Sequence, residues 1–295
     1  MPLSDFPWPR LGADGPAPVW TGDAFQLAGK RMRVIAYDES DSHWSESLTT
    51  LHEEAAGRDH PIDLASRRLA LATMKRLKGR PGLRLLDVGC SSGFILDDLR
   101  KALPEAGLMG ADYIRGPLEK LAVRMAGIPI LQFDLRQCPL PDASVDGLTC
   151  LNVLEHVDDN ESAMRHLFRI LKPGGLAHVE VPAGPELFDI YDEHLMHHRR
   201  YRRGDLIRLA RAAGFRVERA THLGCLVYPA FRFVKRRNRG LLSLSSEEKK
   251  RLVTRQIQST RRSLILAALF RLETAVGRLI PLPCGIRVVA ILSKP

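Results

Sequence analysis

No uncharged apolar run in the chain approaches the ~18 residues that a membrane-spanning helix needs. Aromatic residues make up only 6% of the 295 positions, and no stacking motif or recognised RNA-binding module is visible. Nucleic acid is therefore disfavoured as a partner, although the charge keeps it open. Only five cysteines occur, Cys90, Cys138, Cys150, Cys225 and Cys284. They are scattered, odd in number and form no CxxC pair, which argues against a disulfide framework or a zinc site and for a reducing compartment. The opening "MPLSDFPWPRLGADGPAP" has neither a basic start nor an apolar stretch, so it does not read as a secretion signal. The expectation is a cytoplasmic protein that touches a membrane, if at all, from outside.

What the chain does have is a large apolar fraction, 45%, and a net charge of +10. The length allows one elaborated domain or two small ones. The charge is uneven: residues 194–262 hold 19 Lys and Arg against four Asp and Glu. A basic segment on a mildly acidic body suits a phosphorylated substrate, a nucleic acid or a membrane surface; solvated helix faces would produce the same count.

Residues 1–25 read as an irregular, Pro- and Gly-rich lead-in, and Ser45 to Leu77 as helical, with Pro61 near a first turn. From Leu83 short apolar runs alternate with helical stretches. Strands are expected at 83–89, 107–113, 128–135, 145–154, 176–182 and 215–223, and a last one at 285–294. Their lack of polar alternation fits a sheet covered on both faces, and the repeated strand–helix order fits a doubly wound α/β architecture with a mostly parallel sheet. The expected organisation is an N-terminal lead-in with lid helices (1–78), a core (79–223 and 284–295) and a basic helical insert (224–283). Within the insert "SSEE" reads as a helix start capped by Ser245 or Ser246. Ile265, Leu269, Leu272, Val276 and Leu279 form one apolar stripe.

"LRLLDVGCSSGFILDDL" runs strand into loop into helix at Leu83–Leu99. Gly89 and Gly93 bare the backbone, and the following helix start presents N–H groups to an electron-rich ligand. No Lys follows Gly93, so this is not a phosphate-cradling P-loop, and the GxGxxG dinucleotide pattern is not met. Asp87 suits an ammonium or sulfonium better than a pyrophosphate. Asp112, in "GADY", can accept ribose hydroxyls, and Asp134, in "QFDL", is placed for an exocyclic amine. Three acids on successive strand ends match an amino acid, a ribose and an adenine.

With these motifs in order, the sequence resembles the class I S-adenosylmethionine-dependent methyltransferases, in particular the bacterial small-molecule, ubiquinone-biosynthesis-like type. "LLDVGCSSG", "GADY", "FDL", "LPDASVDGLTCLNVLEHV" and "LFRILKPGGLAHVEVP" carry the likeness, which covers Leu83 to about His222 and resumes at Gly285. Ser91 stands where the commoner form has a glycine. The resemblance implies a seven-stranded Rossmann-like sheet whose last strand is antiparallel. It also implies methyl transfer from S-adenosylmethionine, leaving S-adenosylhomocysteine. Carried across, Asp87, Gly89, Cys90, Ser91 and Gly93 surround the methionine moiety, Asp112 and Tyr113 the ribose and adenine, Asp134 and Leu135 the adenine, and Asn152 the methionine end.

Methyl transfer to a hydroxyl needs alignment and a base. His156 in "NVLEHV", and His194, His197 and His198 in "YDEHLMHHRRY", are the candidates, with Tyr201 as a further hydrogen-bonding group. No metal is expected. Tyr37 and Trp44 are candidates for a lid. The expected acceptor is a hydroxyl of a small molecule or of a lipid- or glycan-linked metabolite, which would make the enzyme an O-methyltransferase. An RNA methyltransferase or a non-catalytic partner protein of this fold are the alternatives. The insert 224–283 is read as a helical pair packed on the sheet with a solvated Arg face, an acceptor cap, a homodimer contact, or, through residues 232–280, a contact with an anionic membrane.

Overall fold

The computed structural model describes residues 3–12, 14–38, 58–241, 243–260 and 263–295. Near the start β1 (Val19–Trp20), β2 (Phe25–Leu27) and β3 (Lys30–Met32) form a small antiparallel sheet. There follow β4 (Val34–Ala36), α1 (Pro61–Met74), β5 (Arg84–Val88), α2 (Phe94–Ala102), β6 (Gly107–Asp112), α3 (Arg115–Arg124) and β7 (Ile130–Gln132). Then come β8 (Val145–Leu151), α4 (Asn160–Ile170), β9 (Leu171–Pro182), α5 (Ile190–His194), α6 (Arg203–Ala212) and β10 (Arg216–Leu223). The helices α7 (Tyr228–Arg239), α8 (Ser246–Thr260) and α9 (Leu264–Leu279) precede the last strand, β11 (Arg287–Ser293).

The main sheet has the order β10-β11-β9-β8-β5-β6-β7-β4. β11 is antiparallel to both neighbours and the rest run parallel. Successive strand residues feed opposite faces: Leu86, Val88 and Leu148 join the core under α4 and α6, while Leu85, Leu108 and Ile130 join that under α1, α2 and α3. Both faces are dry, which explains the strands' missing polar alternation. The switch point falls where β5 neighbours both β6 and β8, so the loops after these strands open on one crevice.

Two expectations change here. The lead-in is folded rather than irregular: Phe25 meets Trp8 and Trp20 edge to face, Phe6 packs tilted on Trp8, and all four are buried, and Ala28 (φ +48°) and Gly29 (φ +79°) make the tight turn between β2 and β3. Residues Val34–Ala36, all buried, add an eighth strand at the edge beside β7. A three-residue apolar segment carries no legible period, so it escapes detection. The insert is helical as expected. Ser245 caps α8, with Glu248 reaching back to the Ser245 backbone N–H. The stripe on α9, however, is turned to water: Ile265, Leu272, Val276 and Leu279 are exposed, while Phe270 packs with Ile62, Ala65, Leu223 and Val289.

Candidate active site

The glycine loop is fixed by its neighbours before any ligand arrives. Gly89 and Cys90 both donate their N–H groups to the Ala111 carbonyl, at 2.8 and 3.0 Å, which ties the loop to β6. Gly89 has φ +75°, and a Cβ there would stand 2.3 Å from Val153 Cγ2. Gly93, at φ +65°, caps α2, where a Cβ would meet Leu121 Cδ1 at 2.5 Å. Ser91 also takes a left-handed conformation, φ +43°, a costly choice for a residue with a side chain. The loop is thus pressed between the segment after β8 on one side and α3 on the other.

Asp87, one residue before the end of β5, is buried. Thr149 Oγ1, on β8, donates to its Oδ1 at 2.6 Å, and its Oδ2 is buried with no partner among the described residues. Burial pushes its carboxyl up to about 7, against the Thr149 hydrogen bond. A buried oxygen without a donor is costly unless a ligand supplies one. Asp112 accepts from Ser91 N at 3.0 Å, Tyr113 N at 2.7 Å and Ile114 N at 3.2 Å, so the acid that ends β6 also clamps the glycine loop. Burial raises its carboxyl, and the three N–H groups oppose that.

One adenine-side and one methionine-side expectation meet side-chain and backbone partners already in place. Asp134 is buried, but its oxygens already take Arg136 N at 2.8 Å and the Arg136 guanidinium at 2.8 and 2.6 Å. An exocyclic amine there would have to share a neutralised carboxylate. Leu135 starts the turn that follows and is buried. Asn152 is left-handed, φ +54°, and its N–H donates to the Glu180 carbonyl at 2.8 Å, so a ligand contact through that N–H is not available. Tyr37 continues β4: its N–H donates to the Gln132 carbonyl and its hydroxyl to the Pro9 carbonyl at 3.2 Å. Trp44 lies outside the described residues.

On the segments that follow β8 and β9 the structure joins some of the predicted histidines and separates others. His156 and His197 stand edge to face with ring centres 4.7 Å apart. Their ligand atoms and a carboxylate oxygen of Glu155 all lie within 4.8 Å of one another, which could hold a metal ion. Glu155 is buried, its Oε2 is without a partner among the described residues, and burial pushes its carboxyl up to about 8. His194, half-buried at the end of α5, and His198, exposed, are not in this group; His198 contributes only its backbone N–H, to the Glu155 carbonyl at 2.8 Å. Tyr201 is structural: its hydroxyl donates to the Leu154 carbonyl at 3.0 Å and accepts from Asn160 Nδ2 at 2.9 Å.

His197 is held from behind. Its Nδ1 lies 2.8 Å from Asp192 Oδ1, which also accepts from Arg200 at 2.7 Å. Asp192 Oδ2 accepts from Lys235 Nζ at 2.9 Å. The cationic groups and the His197 hydrogen bond outweigh burial and hold the Asp192 carboxyl well below the usual carboxylate range. An ionised carboxylate can only accept, so the His197 proton sits on Nδ1 and Nε2 carries the lone pair. Burial lowers the His197 pKa, which keeps the ring neutral. Glu155, Asp189, Asp192, Arg200, Lys235 and Asn238 are the members that sequence reasoning missed. Glu155 was visible next to His156, and Asp192 three residues after Asp189 is the spacing of a capping box; nothing in the sequence pairs Lys235 with either.

This geometry can now be set against known proteins. Residues 86–179 match the family described as "Methyltransferase domain". A protein of Mycolicibacterium smegmatis, named "Probable S-adenosylmethionine-dependent methyltransferase", is 31% identical over 46% of this chain and 53% of its own length. The demethylmenaquinone methyltransferase of Corynebacterium kroppenstedtii is 30% identical over 42% of this chain and 54% of its own. The chain thus spans about half the length of the relatives it matches. Among solved structures, the Haloferax volcanii methyltransferase, in complex with the Trm112 methyltransferase activator, shares the fold at a TM-score of 0.54 and 17% identity, covering 85% of this chain and 99% of that one. By the domain match over residues 86–179, the named relatives and the shared fold, the chain is similar to the class I S-adenosylmethionine-dependent methyltransferases. S-adenosylmethionine is the cofactor of that class, and the orphaned Asp87 oxygen and the cradle at Gly89 fit it.

Proposed function

We propose that the chain transfers a methyl group from S-adenosylmethionine to a hydroxyl of a small molecule or of a lipid- or glycan-linked metabolite. When bound, the cofactor supplies an electrophilic methyl on a sulfonium sulfur. On this reading Asp87 Oδ2 takes the cofactor's ammonium, the Gly89–Gly93 backbone lies along its methionine part, and Asp112 takes the ribose hydroxyls, with Tyr113 and Leu135 beside the adenine. The acceptor lies between the loop after β8 and the segment after β9.

The observation that carries the reading is the His197–Asp192 pair facing His156. Asp192 fixes the tautomer, so His197 Nε2 can accept the acceptor's hydroxyl proton, and the charge formed on the ring is stabilised by the carboxylate behind it. His156 packs against His197 and holds its plane. A phenolic ring is the first acceptor class to test, because one relative is named a ubiquinone biosynthesis O-methyltransferase. Label transfer from methyl-labelled cofactor to a panel of phenols, catechols and lipid extracts is the assay. The reading requires a product whose new methyl is cleaved by ether-cleaving reagents; label on nitrogen or carbon would refute the hydroxyl.

The unpartnered, buried Glu155 oxygen favours one second reading, in which Glu155, His156 and His197 hold a divalent cation that lowers the acceptor hydroxyl's pKa. Chelation separates the two. Turnover that survives EDTA supports the histidine base, and turnover restored only by added Mn²⁺ or Mg²⁺ supports the cation.

A further inference from the structure

The helices before β11 are built inside out. On α7, Lys235 is 4% exposed and Asn238 is buried; the two reach Asp189 and Asp192. Phe233, on the same helix, is 70% exposed, next to the exposed Arg232 and near the exposed Arg236 and Arg237. On α9 the carboxylate of Glu273 is buried and accepts the backbone N–H groups of Gly224 and Leu226, at 2.5 and 3.0 Å. Ile265, Leu272, Val276 and Leu279 face outward. Two of them are more than 70% exposed. At 100° per residue these four fall within an arc of about 60°. Among the described residues, nine of the twelve exposed large apolar side chains lie between Leu226 and Ile280. The Sγ atoms of Cys225 and Cys284, 3.7 Å apart, bring the entry to α7 and the exit from α9 to one place.

The charge follows the same boundaries. Of 44 basic and 34 acidic residues in the chain, residues 224–283 hold 13 and three, which leaves 31 of each sign elsewhere. The whole net charge of +10 therefore resides in the segment that also exposes the aliphatic stripe.

We propose that this insert is a docking surface for an anionic lipid bilayer. The α9 stripe enters the boundary between headgroups and acyl chains, and the α7 arginines lie against anionic headgroups. No helix among the described residues is long and apolar enough to cross a membrane, so the contact is with one leaflet. A second copy of the chain would set one +10 surface against another, and a nucleic acid would leave the aliphatic stripe in water; an anionic bilayer meets both the charge and the apolar face. The inference does not depend on which acceptor is methylated.

Sedimentation of the full chain with phosphatidylcholine vesicles, with and without phosphatidylglycerol, tests it. The protein pellets with the anionic vesicles, stays in solution with the neutral ones, and is released as salt rises. Neutralising two charges, Arg236→Gln with Arg237→Gln, weakens partitioning roughly thirty-fold. Leu272→Asp with Leu279→Asp abolishes it, while melting temperature and S-adenosylhomocysteine binding stay unchanged, because both side chains stand in solvent. Equal pelleting with neutral and anionic vesicles, no pelleting, or pelleting that survives the leucine changes would overturn the inference. So would a dimer that Leu272→Asp disperses, or tighter binding to a single-stranded RNA oligonucleotide than to the vesicles.

Discussion

Protonation of Asp87 should control how tightly the cofactor is held. The carboxyl is buried, has one donor in Thr149 and is raised to about 7. In the free protein it is therefore largely protonated at pH 5.5. Pairing with an ammonium favours the ionised form, so the pKa falls on binding and a proton is released. The sign follows from linkage. Between pH 5.5 and 7 affinity rises with pH, because less work is needed to ionise the acid, and it levels off above its free-protein value. The size follows from one full unit of affinity per pH unit on the acid side, which gives roughly a tenfold tightening over that range. Staying below pH 7 also keeps the ligand's own α-amino group charged. Calorimetric titration with S-adenosylhomocysteine in buffers of different ionisation enthalpy reads both affinity and proton release. Asp87→Asn keeps the shape, removes the titration and should flatten the profile at the weaker end. A wild-type affinity that ignores pH, or an equal slope in Asp87→Asn, would refute the reasoning.

Three further outcomes follow. Gly89→Ala puts a Cβ 2.3 Å from Val153 Cγ2 at a left-handed backbone; a loss of about 2 kcal/mol in urea unfolding is expected, partly restored by adding Val153→Ala, whereas an unchanged midpoint would show that the loop is slack. Asp192→Asn leaves Lys235 and Arg200 buried without their shared anion, so stability should drop by about 3–5 kcal/mol. Because the folded Asp192 carboxyl lies below its unfolded value, its contribution is complete above about pH 4 and is lost as the solution is acidified, so the variant's acid unfolding should begin from a flatter curve. His197→Ala should lower turnover by about 10²–10⁴-fold with cofactor affinity intact, and full turnover on a confirmed acceptor would remove His197 as base.

The loop and strand ends that line the crevice were legible because their pattern is local. Asp87, Gly89 and Gly93 stand within seven residues, and Asp112 follows one strand later, so apolar runs and loop residues announce the place together. Asp134 was read from its position alone; the arginine two residues on, which neutralises it, is a side-chain event that strand spacing does not register. The histidine pair shows the same limit at longer range. His156 and His197 are 41 positions apart in sequence, and nothing in either neighbourhood says that they meet, or that His194 and His198 do not join them. Lys235 stands in a basic stretch whose count does not separate a surface charge from a buried one; only the fold carries it inward to Asp189 and Asp192. Likewise the α9 stripe has the periodicity of a packing face, and periodicity cannot tell which side of a helix meets the protein.

A crystal structure with S-adenosylhomocysteine bound tests the central claim most directly. The account predicts its amine within hydrogen-bonding distance of Asp87 Oδ2, its ribose on Asp112 and its sulfur on the side of the crevice that faces His197. A nucleoside seated on any other part of the sheet, or one that leaves both carboxylates untouched, would contradict it.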